Sequence, residues 1–264
     1  MATPVSTLNI TGLPDFWQRL QAAQQTLLLL DYDGTLAPFH PDRMQAKPLD
    51  GVLPALASLR ALDNTSVALV SGRPVAEIQQ LTGLDNLIIA GTHGFEIFRP
   101  ETGVAQILPA DGLRERLDAI EEIATGIVGP ELAERKLATV ALHTRKLDAP
   151  TAVDAHARFR AAVAELVGAE LELRDFNGGV EVRAPARGKG VAILEIISEL
   201  PPVDLIVYIG DDDTDEDAFK ALPSHGIGIK VGPHDLPTAA GGRLASCDDV
   251  LRFLTNWIAI KTCQ

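Results

Sequence analysis

The sequence predicts an α/β fold with a mostly parallel sheet, interrupted by a smaller α+β unit. Three observations carry that reading. Short apolar runs recur along the chain, stretches of helical period separate them, and the rhythm changes between residues 105 and 184. Runs without polar alternation suit strands covered on both faces, and helical crossovers are what parallel pairing of such strands requires.

In chain order, residues 27–30 form the first strand, and Leu53, Leu56, Leu59 and Leu62 recur at helical spacing after it. Residues 66–70 and 87–90 are the next two strands, most of these runs being bordered by Gly, Asp or Ser. The middle differs: Leu113, Leu117, Ile120 and Ala124 predict a helix, 137–142 a strand, 152–167 a second helix, and 171–174 and 180–183 two more strands. Turn-rich stretches near Pro100 to Gly103 and at Ala184-Pro185-Ala186 bracket this unit. They divide the chain into a core of 1–104 and 185–264 and an insert of 105–184. Beyond the insert, Val191, Leu194, Ile197 and Leu200 predict a helix that stops at Pro201-Pro202, and 205–209 and 227–231 complete the sheet.

At 264 residues, 46% hydrophobic and 22% charged, the chain can bury a sizeable core, which argues against disorder. Lys and Arg number 23 against 36 Asp and Glu, a net charge of −13. That balance argues against non-specific binding to nucleic acid or a membrane surface, while leaving an anionic substrate open to local charge. Cys247 and Cys263 lie sixteen apart with neither a CxxC nor a His spacing, so they suggest neither zinc nor a disulfide framework, and a reducing cytoplasm fits best. The N-terminus lacks a basic stretch followed by an apolar one, and the run 27–30 is too short to span a bilayer, so a soluble, unprocessed protein is expected.

Four motifs carry chemistry. Asp31-Tyr32-Asp33-Gly34-Thr35-Leu36 follows a buried strand, where open α/β sheets hold their ligands. Two carboxylates at i and i+2 in a Gly-containing loop can converge on one cation and one phosphate, the first as covalent nucleophile and the second as acid and then base. Ser71-Gly72-Arg73-Pro74 again follows a strand, with a hydroxyl and backbone amides free to hold an anion; a plain helix cap accounts for Ser71 as well. Gly188-Lys189-Gly190 opens a helix with a lysine able to reach a phosphate, although most lysines are merely solvated. Last, Asp211-Asp212-Asp213-Thr214-Asp215-Glu216-Asp217 places six acids in seven positions after a strand. Helix-start preference accounts for Glu216 and Asp217; a hard cation such as Mg²⁺ better explains such a density of oxygen ligands.

In order, spacing and strand-end placement the four motifs resemble those of the haloacid dehalogenase superfamily of aspartate-nucleophile phosphohydrolases. Three further stretches narrow the resemblance: Gly91-Thr92-His93-Gly94-Phe95-Glu96, then Glu134-Arg135-Lys136 with His143-Thr144-Arg145, then Glu181-Val182-Arg183. Together they look like the trehalose-6-phosphate phosphatase family, which pairs a Rossmann-like core with a small α+β cap. The resemblance implies Asp31 as nucleophile and Asp33 as acid and base. It implies Mg²⁺ on Asp31, the Asp33 carbonyl and Asp211, with Asp212 beside them, and phosphoryl oxygens on Ser71 and Lys189. Gly72, Arg73, His93 and Glu96 would bind substrate from the core. Glu134, Lys136, His143, Arg145, Glu181 and Arg183 would do so from the cap, some on sugar hydroxyls and some on phosphate.

The implied reaction is hydrolysis of a sugar 6-phosphate in trehalose biosynthesis, through an aspartyl-phosphate. Other esters, such as sucrose 6-phosphate or glucosyl and mannosyl phosphoglycerates, remain open, as does a phosphomutase. A receiver-like signalling module shares the phosphorylated aspartate, but the insert with its dense Glu and Arg argues against it. No single large apolar patch is evident, which favours a monomer with a small-molecule partner.

Overall fold

The computed structural model describes residues 8–176, 178–184, 187–233 and 237–262. Cys263 and the Pro185-Ala186 pair fall outside the described residues. In chain order come α1 (Phe16–Ala22), β1 (Thr26–Leu30), α2 (Val52–Arg60), β2 (Thr65–Val70), α3 (Val75–Thr82), β3 (Ile88–Gly91), β4 (Glu96–Arg99) and β5 (Gly103–Gln106). Then follow α4 (Asp111–Val128), β6 (Ala133–Arg135), β7 (Thr139–His143), α5 (Ala149–Val167), β8 (Glu172–Phe176) and β9 (Gly179–Arg183). The chain closes with α6 (Lys189–Glu199), β10 (Leu205–Gly210), α7 (Asp215–Ala221), β11 (Gly226–Val231), β12 (Gly242–Leu244) and α8 (Cys247–Thr262). It divides into two compact units, Met1–Ala105 with Gly188–Gln264, and Gln106–Arg187.

The larger unit is built on an eight-stranded sheet in the order β12-β11-β10-β1-β2-β3-β4-β5. From β12 to β3 every pairing is parallel, and β4 runs antiparallel to β3. Side chains of successive residues leave opposite faces of a strand. Leu28 and Leu30 therefore join Val207 and Ile209 in a core with Phe16, Leu56, Leu59, Phe253 and Trp257 of the helices. Leu27 and Leu29 join Ile206 and Tyr208 against Ala192, Ile193, Ile196 and Phe219 on the other side. Each leucine buried this way contributes about 1.5–3 kcal/mol, which offsets the cost of ending β1 on a buried carboxylate.

Register decides where chemistry sits. Leu30 lies between Ile209 and Leu69, so Asp31, Asp211 and Ser71 all leave the sheet at the carboxyl ends of neighbouring strands.

The predicted helix α6 forms, but only part of its apolar stripe meets the core: Ile197 and Leu200 pack against it partly buried. On α6 the buried residues are Lys189, Gly190, Ala192, Ile193 and Ile196, while Val191 and Leu194 are exposed. Apolar residues of the helix fall on more than one stripe, and the sheet beneath it chooses the face. The strand expected from 137 begins at Thr139.

The smaller unit is an antiparallel sheet in the order β6-β7-β9-β8. Helices α4 and α5 pack on it, burying Leu117, Ile120, Ala124, Phe159 and Val163 together with Val140, Leu142, Val180 and Val182 of the strands. No helix among the described residues is long and apolar enough to cross a membrane.

Candidate active site

Beyond β1, Asp31 is pinned by its own backbone N–H, which donates to the Ile209 carbonyl at 2.9 Å. The chain then turns tightly, with Gly34 N–H donating to the Ala37 carbonyl at 2.8 Å. Gly34 has φ 71°, and a Cβ there would lie 2.1 Å from Asp211 Oδ2. Only glycine permits both the left-handed turn and the approach of the Asp211 carboxyl.

A buried charge cluster grows from that approach. Lys189 Nζ donates to Asp31 Oδ1 at 2.8 Å and to Asp215 Oδ1 at 2.7 Å. The Tyr208 hydroxyl also donates to Asp215 Oδ1, while Asp215 Oδ2 accepts the backbone N–H groups of Asp211 and Asp212 at 2.9 Å each. Ligand oxygens of Asp31, Asp211 and Asp215 all lie within 4.8 Å of one another. Asp212 plays a different part: its Oδ1 accepts from Thr214 N–H at 2.8 Å and from Asp215 N–H at 3.2 Å, capping the turn into α7. Lys230 fixes the same turn by donating to the Asp212 carbonyl at 2.7 Å.

Burial raises the Asp31 and Asp215 carboxyls above the ordinary range; Lys189 pulls each back, and repulsion between the acids adds to the rise. Burial, then repulsion from Asp212 and Asp215, pushes Asp211 up to about 7. Burial would lower Lys189, but Asp215 and Asp31 outweigh it and hold the ammonium well above its usual value. Asp212 falls below the carboxylate range because Lys189 and the Thr214 hydrogen bond overcome its burial. Four carboxylates thus surround one lysine. The oxygen-only donor set and its excess of negative charge fit a hard divalent cation.

That excess has a measurable consequence. With Asp211 titrating near 7, the folded chain holds more protons than the unfolded one from about pH 4 upward, so stability falls as pH rises through that window. In chelator, the thermal midpoint should drop by about 5 °C or more between pH 5 and pH 8. A divalent cation should remove most of the drop; a flat profile in chelator would mean the cluster needs no cation.

Ser71 is buried, and its Oγ accepts from Arg73 N–H at 3.1 Å. Its carbonyl accepts His93 N–H at 3.0 Å, and the Arg73 carbonyl accepts Thr92 N–H at 2.8 Å, which clasps the two loops together. Thr92 and His93 pay for this with φ values of 50° and 54°, uncommon for any residue but glycine and strained for a β-branched one. Glu96 supports the turn: its Oε2 accepts Val75 N–H at 2.9 Å and the Thr92 hydroxyl at 3.3 Å. A Cβ on Gly72 would sit 2.7 Å from the His93 ring. Arg73 directs its guanidinium onto Asp33, with Nε to Oδ2 at 2.6 Å and Nη2 to Oδ1 at 2.7 Å.

In the smaller unit, Glu134, Ala141, Glu181 and Arg174 share one row across the sheet, and Thr139, Arg183 and Glu172 share the next row on the same face. Lys136 and His143 flank those rows: Glu134 accepts from His143 Nε2 at 2.9 Å and lies 3.8 Å from Lys136 Nζ. Glu172 pairs with Arg183 at 3.1 Å and Arg174 at 3.0 Å. Arg145 lies beside Gly178, where a Cβ would come within 2.9 Å of its Nε. The face opposite α4 and α5 is thus a lattice of Glu, Arg, Lys and His.

The family model for trehalose-phosphatase matches residues 29–246, from β1 through both units to β12. The chain belongs to the trehalose-phosphatase family. Among trehalose-phosphatase relatives, a probable trehalose-phosphate phosphatase H of Arabidopsis thaliana is 32% identical over 92% of this chain and 74% of its own length. An uncharacterized glycosyl hydrolase of Mycobacterium tuberculosis is 36% identical over 94% of this chain, which spans only 20% of that relative. The C-terminal domain of a C. albicans trehalose-6-phosphate phosphatase shares the fold, with a TM-score of 0.81 at 23% identity, covering 97% of this chain and 99% of that one.

Within this candidate site, three side chains were not foreseen. Asp215 lay hidden among neighbouring acids, and nothing local distinguished it. Tyr208, the one residue with a polar tip in a buried strand, was a signal, since a buried phenol usually finds a partner. Lys230 carried the same kind of signal within β11.

Proposed function

We propose that the chain is a phosphomonoesterase that hydrolyses trehalose 6-phosphate to trehalose and inorganic phosphate, working as a cytoplasmic monomer on a small-molecule substrate. The observation that carries the chemistry is the buried Asp31 carboxylate, held 2.8 Å from Lys189 at the carboxyl end of β1. Membership of the trehalose-phosphatase family supports the choice of sugar.

In the first step an Asp31 oxygen bonds to phosphorus in line with the ester oxygen; the phosphorus–oxygen bond to the sugar breaks, and Asp33 hands that oxygen a proton. In the second, Asp33 takes a proton from water and the hydroxyl oxygen bonds to phosphorus, freeing Asp31 and inorganic phosphate. Lys189 and Ser71 face the phosphoryl oxygens. Asp31, the Asp33 carbonyl and Asp211 would hold Mg²⁺, with Asp215 behind them, and the bound ion supplies charge neutralisation at the transferring group. The polar sheet face of the smaller unit, with Glu134, Lys136, His143, Glu181 and Arg183, is the surface suited to a polyhydroxyl ligand, since carboxylates accept from hydroxyls and Arg supplies a planar fork.

Inorganic phosphate release from trehalose 6-phosphate, beside sucrose 6-phosphate and glucose 6-phosphate, tests this reading. Activity on the trehalose ester should exceed that on the others by about 10²-fold in kcat/KM and disappear in EDTA. Faster release from the sucrose ester would replace the substrate, and appearance of a sugar bisphosphate would replace hydrolysis with transfer.

A further inference from the structure

Each nitrogen of the Arg73 guanidinium has a fixed partner. Nε and Nη2 take the two oxygens of Asp33, Nη1 donates to the Arg43 carbonyl at 2.8 Å, and Glu77 lies 3.6 Å from the same nitrogen. The Tyr32 ring lies beneath it, 5.4 Å from centroid to guanidinium carbon. At the backbone, Arg73 is tied to Ser71 and Thr92. The Arg73 side chain is 8% exposed, whereas Asp33 is 29% exposed. The arginine is therefore the fixed partner and the carboxylate the one that can turn.

We propose that Arg73 is a positioning residue for Asp33, holding the acid–base carboxylate in one orientation beside Asp31, and is not a ligand of the substrate phosphate. The inference rests on the phosphomonoesterase reading and goes beyond it. A carboxylate three residues past the strand has two free side-chain torsions, and proton transfer needs it within about 3 Å of the reacting oxygen. A planar fork restricts both torsions at once. Each carboxylate oxygen carries two lone pairs, and the fork occupies one on each. The remaining pair on each oxygen stays available to carry the proton, so Asp33 can serve as acid and base without leaving its support. The anchors on the Arg43 carbonyl and Glu77 keep the fork from following a phosphate.

The test compares an alkyl with an aryl leaving group. A sugar alkoxide needs a proton as it departs; p-nitrophenolate does not. For Arg73→Ala, kcat on trehalose 6-phosphate should fall about 10²-fold, with KM within about threefold of the parent. The first-turnover burst of p-nitrophenolate from p-nitrophenyl phosphate should stay within about threefold, because that step needs no acid. Arg73→Ala combined with Asp33→Asn should lose no more than Asp33→Asn alone, as expected of residues acting as one unit. Arg73→Lys, which keeps the charge and loses the fork, should fall between parent and alanine, and it serves if the alanine variant folds poorly. A tenfold rise in KM, or losses that multiply in the double variant, would overturn the proposal and make Arg73 a phosphate ligand. A parent chain with no Asp31-dependent burst would overturn the phosphomonoesterase reading itself.

Discussion

Asp31→Asn is expected to abolish phosphate release and to stabilise the fold. The amide keeps the shape of the carboxyl and can still accept from Lys189, but it has no anionic oxygen to bond to phosphorus. Removing a covalent nucleophile costs on the order of 10⁴ to 10⁶ in turnover. Stability moves the other way. Asp31 faces Asp211 within hydrogen-bond reach and repels both it and Asp215, and all three are raised by burial. Replacing one of these charges with a neutral donor relieves repulsion and gives Asp211 an N–H to accept from. In chelator at pH 8 the thermal midpoint should therefore rise by about 2 °C or more, the signature of a site whose charge serves function at the expense of stability. Retained turnover above about one hundredth of the parent would place the nucleophile elsewhere. A lower midpoint would mean that the Lys189 contact outweighs the repulsion.

The strands that place this site were legible because they are buried on both faces. Residues 27–30, 66–70, 87–90, 205–209 and 227–231 each lie within or overlap a strand of the parallel sheet. The short strands β4, β5, β6 and β12 left no comparable mark, since three or four residues of mixed polarity carry no period. The face of α6 was illegible for another reason: its apolar residues fall on more than one stripe, and only packing selects one. Within the site, the carboxylates at strand ends could be read from order alone. The Arg73–Asp33 pair could not, because it joins residues forty apart through a contact that only the neighbouring of β1 and β2 creates. Asp215 shows the same limit at short range. Six acids within seven positions look alike until the turn bends one of them inward, where Tyr208 and Lys189 receive it.

Lys189→Met should produce the largest combined loss of stability and activity. The lysine is 2% exposed and touches two buried carboxylates, so an isosteric apolar chain leaves Asp31 and Asp215 facing each other without a counter-charge. Breaking a buried pair from one side costs about 3–5 kcal/mol, far more than an intact pair adds over an apolar replacement. The cost depends on pH with a definite sign. Without Lys189 the acids rise further above the carboxylate range, the folded chain binds still more protons than the unfolded chain, and stability falls more steeply as pH increases. Thermal midpoints at pH 5 and pH 8 should therefore diverge more in the variant than in the parent, and a divalent cation should recover part of the loss at pH 8. Turnover should stay about 10³-fold down even when the cation has restored the fold, because the fixed positive group proposed to face the phosphoryl oxygens is missing. Lys189→Arg should not rescue it: the longer planar fork cannot occupy a site walled by Asp31, Asp215 and the Tyr208 hydroxyl and still meet both carboxylates at single points. A methionine variant that melts with the parent at pH 8 would show that Asp31 and Asp215 share a proton in the native state and that the ammonium is not their counter-charge.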